Sequence, residues 1–266
     1  MRVFYSLKSC VLCVGLVAGL SVPAVADGDD HDYDHDDMAA VFIHGAPSHP
    51  SDAWVLAAGG RIYDNWMEAL DRDAPEGTHP AYPAGGKQSG ETTWRCKECH
   101  GWDYLGVEGI YREGSHHTGI MGIRGASGGD EAGIAAALRA EPHGYTPQMI
   151  SDDELARVAA FVARGQVDLS AYINLETRTV IPGDIDRGRA VFQTTCAACH
   201  GFDGRNLDWG DADSPAYVGT EAVAAPDEVM NKILNAHPGV EMINLRAFGA
   251  DFAGDVLTYI STLPQD

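Results

Sequence analysis

Beyond residue 26 the chain has no cysteine outside two short strings, Cys96-Lys-Glu-Cys99-His100 and Cys196-Ala-Ala-Cys199-His200. The other two of its six cysteines, Cys10 and Cys13, lie in an apolar stretch near the start. That scarcity excludes a disulfide framework and leaves no spare thiol as a further metal ligand. Lysine is scarce too, confined to Lys8, Lys87, Lys97 and Lys232. With 39 acidic residues against 18 basic ones and a net charge of −21, the chain is unsuited to nonspecific binding of nucleic acid or anionic lipid. It favours partners that present a basic face. The same acidic surface also suits solvation in a salty habitat. No apolar run reaches the roughly 20 residues that cross a bilayer, so no stable membrane insertion of the mature chain is expected.

The start of the chain reads as an address. Arg2 and Lys8 precede an apolar run over Val11 to Val22, and Ala24-Val25-Ala26 supplies the small residues of a cleavage site. Residues 1–26 are therefore expected to be a cleavable signal peptide that delivers the chain to the periplasm. Residues 27–37 (DGDDHDYDHDD) repel one another and carry nothing to bury, which predicts a disordered, solvated tail.

What remains contains a weak internal repeat. In the second half Ile185 to Gln193 reads as a short helix leading into Cys196, and Pro226 to Ala236 reads as another, with Pro226, Asp227 and Glu228 suited to its first turn. His237-Pro238-Gly239, Met242 and an amphipathic segment from Asp251 to Leu263 follow. The first half runs in the same order. Gly59 to Trp66 stands before Cys96, a helix is expected from about Asp130 to Ala140, and His143, Gly144 and Met149 come next. Ser151 with Glu154 then forms a capping box that opens a last helix carrying Leu155, Val158, Phe161 and Val162. The halves differ in one respect. Phe192 lies just before Cys196, whereas Tyr63 is separated from Cys96 by an extra Pro/Gly-rich stretch, Ala74 to Thr93.

A Cys-x-x-Cys-His string sets two thiols about a helical turn apart with an imidazole beside the second. This is the pattern of covalent haem attachment, with the thiols joined to the vinyl groups and the histidine on the iron. A zinc site would need both pairs to cooperate in one small module, and a redox dithiol gives no reason for the histidine. The strings thus predict two covalently bound haem c groups, with Cys96, Cys99, Cys196 and Cys199 as attachment residues and His100 and His200 as iron ligands.

Both halves resemble class I cytochrome c domains, small helical units in which a leading helix with a glycine and an aromatic crosses a last helix with another aromatic. Gly188, Phe192, Cys196, Cys199, His200, Met242 and Tyr259 match that pattern in order, as do Cys96, Cys99, His100, Met149 and Phe161; Gly59 and Tyr63 match once the insertion is allowed. The resemblance implies a mainly α fold of two tandem domains, the first enlarged by a long Pro/Gly-rich insertion. The expected boundaries are 38–168 for the first domain, 169–183 for a linker and 184–266 for the second. It also implies a methionine on each iron, Met242 for the second haem and Met149 for the first. For the first haem Met121, His116, His117 and His143 stay open as alternatives, and paired histidines there give a lower potential. Trp94, Trp102, Tyr104 and Trp209 are expected as walls of the haem pockets.

The function so implied is single-electron transfer between redox partners in the periplasm, as a free carrier or as the cytochrome subunit of an oxidoreductase, with no catalytic residue. The alternative is a peroxidase-like dihaem enzyme with an open haem in the first domain, where His116 and His117 cluster.

Overall fold

Ser51 starts the first long helix, α1 (Asp52–Leu70), its hydroxyl accepting the Trp54 N–H at 3.2 Å. The face of α1 that carries Ile62, Tyr63 and Trp66 is fully buried, and the helix kinks at Asn65 before Asp71 closes it in the left-handed region. A short 3-10 turn, Gly90–Trp94, leads into α2 (Cys96–His100), the first Cys-x-x-Cys-His string itself. Asp130 caps α3 (Glu131–Arg139) through the Gly133 N–H. Ser151 opens α4 (Asp152–Ala160), with the Glu154 carboxylate accepting the Ser151 N–H at 2.8 Å. The expected capping box is therefore present. The helix widens to i→i+5 bonding over Phe161–Gly165.

The second half follows. Residues 169–183, expected as a linker, join the two halves through a two-stranded hairpin, β1 (Ile173–Asn174) with β2 (Thr179–Val180). The segment is also packed in place, since Leu169 and Ile173 are buried in the core of the second half. Asp184 caps α5 (Ile185–Val191), which continues with wider bonding through Phe192–Cys196 into α6 (Ala197–His200). Next come α7 (Val218–Ala224), α8 (Pro226–Asn235) with its proline in the first turn, and α9 (Ala250–Ile260), which ends three residues short of the expected Leu263. The computed structural model describes residues 43–211 and 213–266. The expected signal peptide and the Asp/His-rich run lie outside the described residues. Among the described residues no helix is long and apolar enough to cross a membrane.

The internal repeat is visible as two helix crossings. A Cβ on Gly59 of α1 would lie 2.1 Å from the Arg157 carbonyl oxygen of α4, and one on Gly188 of α5 would lie 1.9 Å from the Asp255 carbonyl of α9. Only glycine allows backbones to approach so closely. Four residues beyond each glycine an aromatic meets an aromatic. Tyr63 packs on Phe161 with ring centres 5.4 Å apart, and Phe192 packs on Tyr259 at 5.6 Å. Each crossing has its own apolar core. Trp66, Trp94, Tyr145, Ile150 and Val158 form one, and Phe192, Met230, Leu234 and Leu257 form the other.

The Pro/Gly-rich stretch is tied down over the first core. Trp94 Nε1 donates to the Gly77 carbonyl at 3.0 Å, the His79 ring meets Trp94 with centres 4.3 Å apart, and Tyr82 is buried. The two halves meet along α8. Asn231 reaches Tyr104 and the Trp102 carbonyl, while Lys232 pairs with the buried Asp64 of α1. Trp102, expected as a haem-pocket wall, stands in this seam with the ammonium groups of Lys97 and Lys232 5.3 and 5.4 Å from its ring centre.

Candidate functional site

The two strings occupy equivalent places, each a single helical turn directly after a leading helix or 3-10 turn. Each ends in a glycine at positive φ, Gly101 at 78° and Gly201 at 80°. That conformation turns the chain away at once and leaves the histidine at the end of the turn. The four cysteines are unpaired. Burial pushes the Cys96 thiol up to about 11, Cys99 up to about 12 and Cys196 up to about 11. Neutral thiols suit thioether formation; a zinc site or a redox-active dithiol draws on thiolates, which these surroundings oppose. Among the described residues no group of three or more His, Cys, Asp or Glu side chains is placed to hold a metal ion on its own.

The histidines carry the clearest fit to an iron-bound group. His100 Nδ1 donates to the Met121 carbonyl at 2.8 Å, which fixes the tautomer and leaves Nε2 with a free lone pair. A histidine on a metal is held in this way. Burial lowers the proton affinity of both His100 and His200, so each is an uncharged imidazole at neutral pH. His200 has its Nδ1 buried without a partner, and its ring lies 5.9 Å from Trp209 and 6.4 Å from Phe192, centre to centre. Beside this string Phe202, two residues past His200, and Trp209 keep large apolar side chains in solvent. An apolar macrocycle attached at Cys196 and Cys199 gives such side chains something to cover.

The remaining sequence candidates separate cleanly. Met121 presents its carbonyl to the Nδ1 side of His100 while its side chain is 73% exposed, so it backs the histidine and does not face it. His116 donates from Nδ1 to Glu98 at 2.9 Å and stacks on Tyr111, and His117 donates to the Tyr111 carbonyl at 3.1 Å. Among the described residues the imidazole recorded beside His100 is that of His143. Met149 packs half-buried against the first core, and its sulfur accepts the Thr146 N–H at 3.4 Å. Met242 is half-buried on the stretch before α9, and Met230 is fully buried within α8.

Tyr145 and His79 carry no signal in the sequence, and His143 stands there only as one of several alternatives. Tyr145 donates its hydroxyl to the Trp94 carbonyl at 2.8 Å and lies 3.9 Å from Cys96 Sγ. His79 donates from Nε2 to the His143 carbonyl at 3.1 Å. His143 in turn sets its ring 6.1 Å from that of His100. Each of these depends on how the insertion and the segment after α3 fold back over the string, which no local pattern encodes.

Comparison with known proteins bears on the second half most directly. Residues 183–260 match the family described as cytochrome C oxidase, cbb3-type, subunit III, a c-type cytochrome domain. Over 196 residues, 68% of its length, the chain is 22% identical to proteins named cytochrome bc1 complex cytochrome c subunit from Mycobacterium bovis and Mycobacterium tuberculosis H37Rv. The counterpart from Mycobacterium leprae is likewise 22% identical, over 197 residues. The matched region spans 63% of the first two relatives and 61% of the third. The chain thus contains a c-type cytochrome domain in a mainly helical fold, which implies covalently bound haem c and supports a role in electron transfer.

Proposed function

We propose that the chain is a dihaem cytochrome c of two tandem class I domains, 38–168 and 184–266 joined by 169–183, that passes single electrons between redox partners. One observation carries this reading. Both halves repeat the same crossing, Gly59 and Tyr63 over Arg157 and Phe161, Gly188 and Phe192 over Asp255 and Tyr259, and each crossing accompanies a Cys-x-x-Cys-His turn. The matched family covers the second of these, and the repeat extends its logic to the first.

In this reading Cys96 and Cys99 attach one haem and Cys196 and Cys199 the other, with His100 and His200 on the irons. Bound haem supplies one-electron exchange. The protein fixes the imidazoles, with the Met121 carbonyl holding His100, and packs aromatic walls around them. Met242, on the stretch before α9, serves opposite His200. The Asp- and Glu-rich surface draws partners with basic docking faces, and association weakens as salt rises. The relatives' name, cytochrome bc1 complex cytochrome c subunit, points to a place as the cytochrome subunit of a larger complex, where electrons come from a neighbouring subunit. Residues 1–26 direct export, so the work is done in the periplasm.

The test is production of the full chain in a host that attaches haem c. Two haems per chain by intact mass and by the alkaline pyridine spectrum, two one-electron steps in a redox titration, and a mature N-terminus at Asp27 in the periplasmic fraction are expected. Cys99→Ala and Cys199→Ala should each weaken attachment of one haem. One haem per chain sinks the tandem reading, and a chain retained in the cytoplasm sinks the placement.

A further inference from the structure

His100 and His143, 43 residues apart in the chain, stand with their ring centres 6.1 Å apart and their planes inclined by 39°. A metal–imidazole bond is about 2.0 Å long and the ring centre lies about 1.1 Å behind the bonded nitrogen, so two imidazoles in line across one ion have centres ~6 Å apart. The hydrogen bonds of the two rings are also alike. His100 Nδ1 donates to the Met121 carbonyl at 2.8 Å and His143 Nδ1 donates to the Ala137 carbonyl at 3.1 Å. Both are thereby set in the tautomer whose Nε2 carries the free lone pair, the arrangement of a metal-bound histidine.

His143 is also held from behind. Its N–H donates to the Ala140 carbonyl at 3.0 Å, and its carbonyl accepts from His79 Nε2 at 3.1 Å. The His79 tautomer is itself fixed, because its Nδ1 accepts the Ala81 N–H at 3.1 Å. The Pro/Gly-rich insertion, otherwise without a stated role, thus braces the segment that carries His143. Two residues on, Tyr145 touches Cys96, so this segment lies along the haem string.

The internal repeat gives a second, independent argument. Met242 stands seven residues before Gly249, the residue that starts α9. In the first half His143 stands eight residues before Ser151, the residue that starts α4, whereas Met149 stands two before it. In chain order His143 matches His237 and Met149 matches Met242, but counted back from the last helix it is His143 that stands at the distance of Met242. Met149 is half-buried against the first core, and its sulfur accepts the Thr146 N–H at 3.4 Å. Among the described residues no imidazole is recorded beside His200; its ring neighbours are Phe192 and Trp209, and His237 donates to the Pro238 carbonyl.

We infer that the first haem is ligated by two histidines, His100 and His143, and the second by His200 and Met242, with His79 as a positioning residue for His143. This rests on the dihaem reading above. Thioether on one side raises a haem potential relative to imidazole on both. The two halves are accordingly ordered, the first the lower in potential and the second the higher.

The test uses the full chain with its haems attached. Haem content is measured first, by mass and pyridine spectrum, and fewer than two haems overturns the dihaem reading. With two present, axial ligands are read by low-temperature electron paramagnetic resonance and magnetic circular dichroism. One bis-imidazole low-spin haem and one imidazole–thioether haem are expected, with the far-red sulfur-to-iron band at the strength of a single haem. His143→Ala should turn one haem high-spin, and added imidazole should restore it. His143→Met, which keeps a ligand where the alanine variant fails to fold, should raise the lower potential and double the far-red band. Met149→Leu should leave both signatures unchanged. His79→Phe should leave haem content intact and make the bis-imidazole signal heterogeneous. Two thioether-ligated haems in the unmodified protein, or a high-spin haem produced by Met149→Leu and not by His143→Ala, overturns the assignment.

Discussion

Tyr104 and Asn231, one from each half of the chain, are joined by a buried hydrogen bond of 2.5 Å in which the tyrosine hydroxyl donates to Asn231 Oδ1. Burial pushes the Tyr104 hydroxyl up to about 12, so it remains a donor across the working pH range. The other end of the same amide donates to the Trp102 carbonyl at 3.0 Å and the Asp227 carbonyl at 2.9 Å. One side chain of α8 therefore satisfies polar groups on both sides of the seam. The Tyr104 ring meets Tyr63 and Phe161, and Cys96 packs against the cluster these three form. The seam and the first haem string share a wall.

Asn231→Leu should strip the seam of its partners while keeping the volume. A buried donor or acceptor left without a partner costs about 1–3 kcal/mol, and here the Tyr104 hydroxyl and the Trp102 carbonyl are both affected. The expected result in denaturant unfolding of the haem-loaded chain is a loss of about 2 kcal/mol. The transition should also broaden or split as the halves lose their coupling. An unchanged midpoint and a single sharp transition would show that the seam contributes nothing.

The glycines at the two crossings predict matched losses. Gly188→Ala drives a methyl into the Asp255 carbonyl and Gly59→Ala drives one into the Arg157 carbonyl. Both clashes are with backbone, which cannot swing aside. Overpacking of a tight site costs about 1–3 kcal/mol or more. Thermal melts of both variants should fall well below the parent, with haem still attached in the fraction that folds.

Much of this was legible in the sequence. The Gly188/Phe192 and Gly59/Tyr63 spacings, the Ser151/Glu154 capping box and the helix after Pro226 were all readable, because each rests on contacts within a turn or two of chain or on a glycine with a steric reason. The segment 169–183 read only as a connection, since short strands and an isolated Leu169 or Ile173 give no period. The seam was invisible for a different reason. Asp64, Asn231 and Lys232 are polar residues on helices, and nothing local says that α8 will bring them against α1 and bury them. The group opposite His100 was open for the same cause. Met149 is the more familiar ligand type, but the choice depends on how the insertion braces the segment around His143 in three dimensions.

Asp64 offers a test of the ionic part of the seam. Its carboxylate is 3% exposed, accepts from Arg95 at 2.5 Å and pairs with Lys232 from the other half. Removing one partner of a buried pair strands the others, which costs about 3–5 kcal/mol. Asp64→Ala should approach that range. Lys232→Met should lose less, because Arg95 still neutralises the carboxylate and the methionine fills the space beside Trp102. Chemical unfolding at two salt concentrations checks both points, and the loss should be nearly independent of salt because the groups are shielded from solvent.

Glu154 predicts an acid limb of stability that belongs to the first half. Burial alone would raise its carboxyl, but hydrogen bonds from Arg72 and Ser151 outweigh that and hold it below the ordinary carboxylate value. Arg72 meets it with both terminal nitrogens, at 2.7 and 2.8 Å. A carboxyl whose pKa is lower folded than unfolded adds stability above the unfolded value of about 4.3 and loses it as pH falls through the folded one. Arg72→Met releases the carboxyl from this hold. The gap in unfolding free energy between parent and variant should therefore stay level from pH 7 to about 5 and narrow as pH drops below about 4. It should not close entirely, because Arg72 also donates to the Met149 carbonyl at 2.8 Å, a bond that does not titrate. A gap that stays level through the acid range would show that the ion pair does not contribute and that the carbonyl contact alone accounts for the role of Arg72.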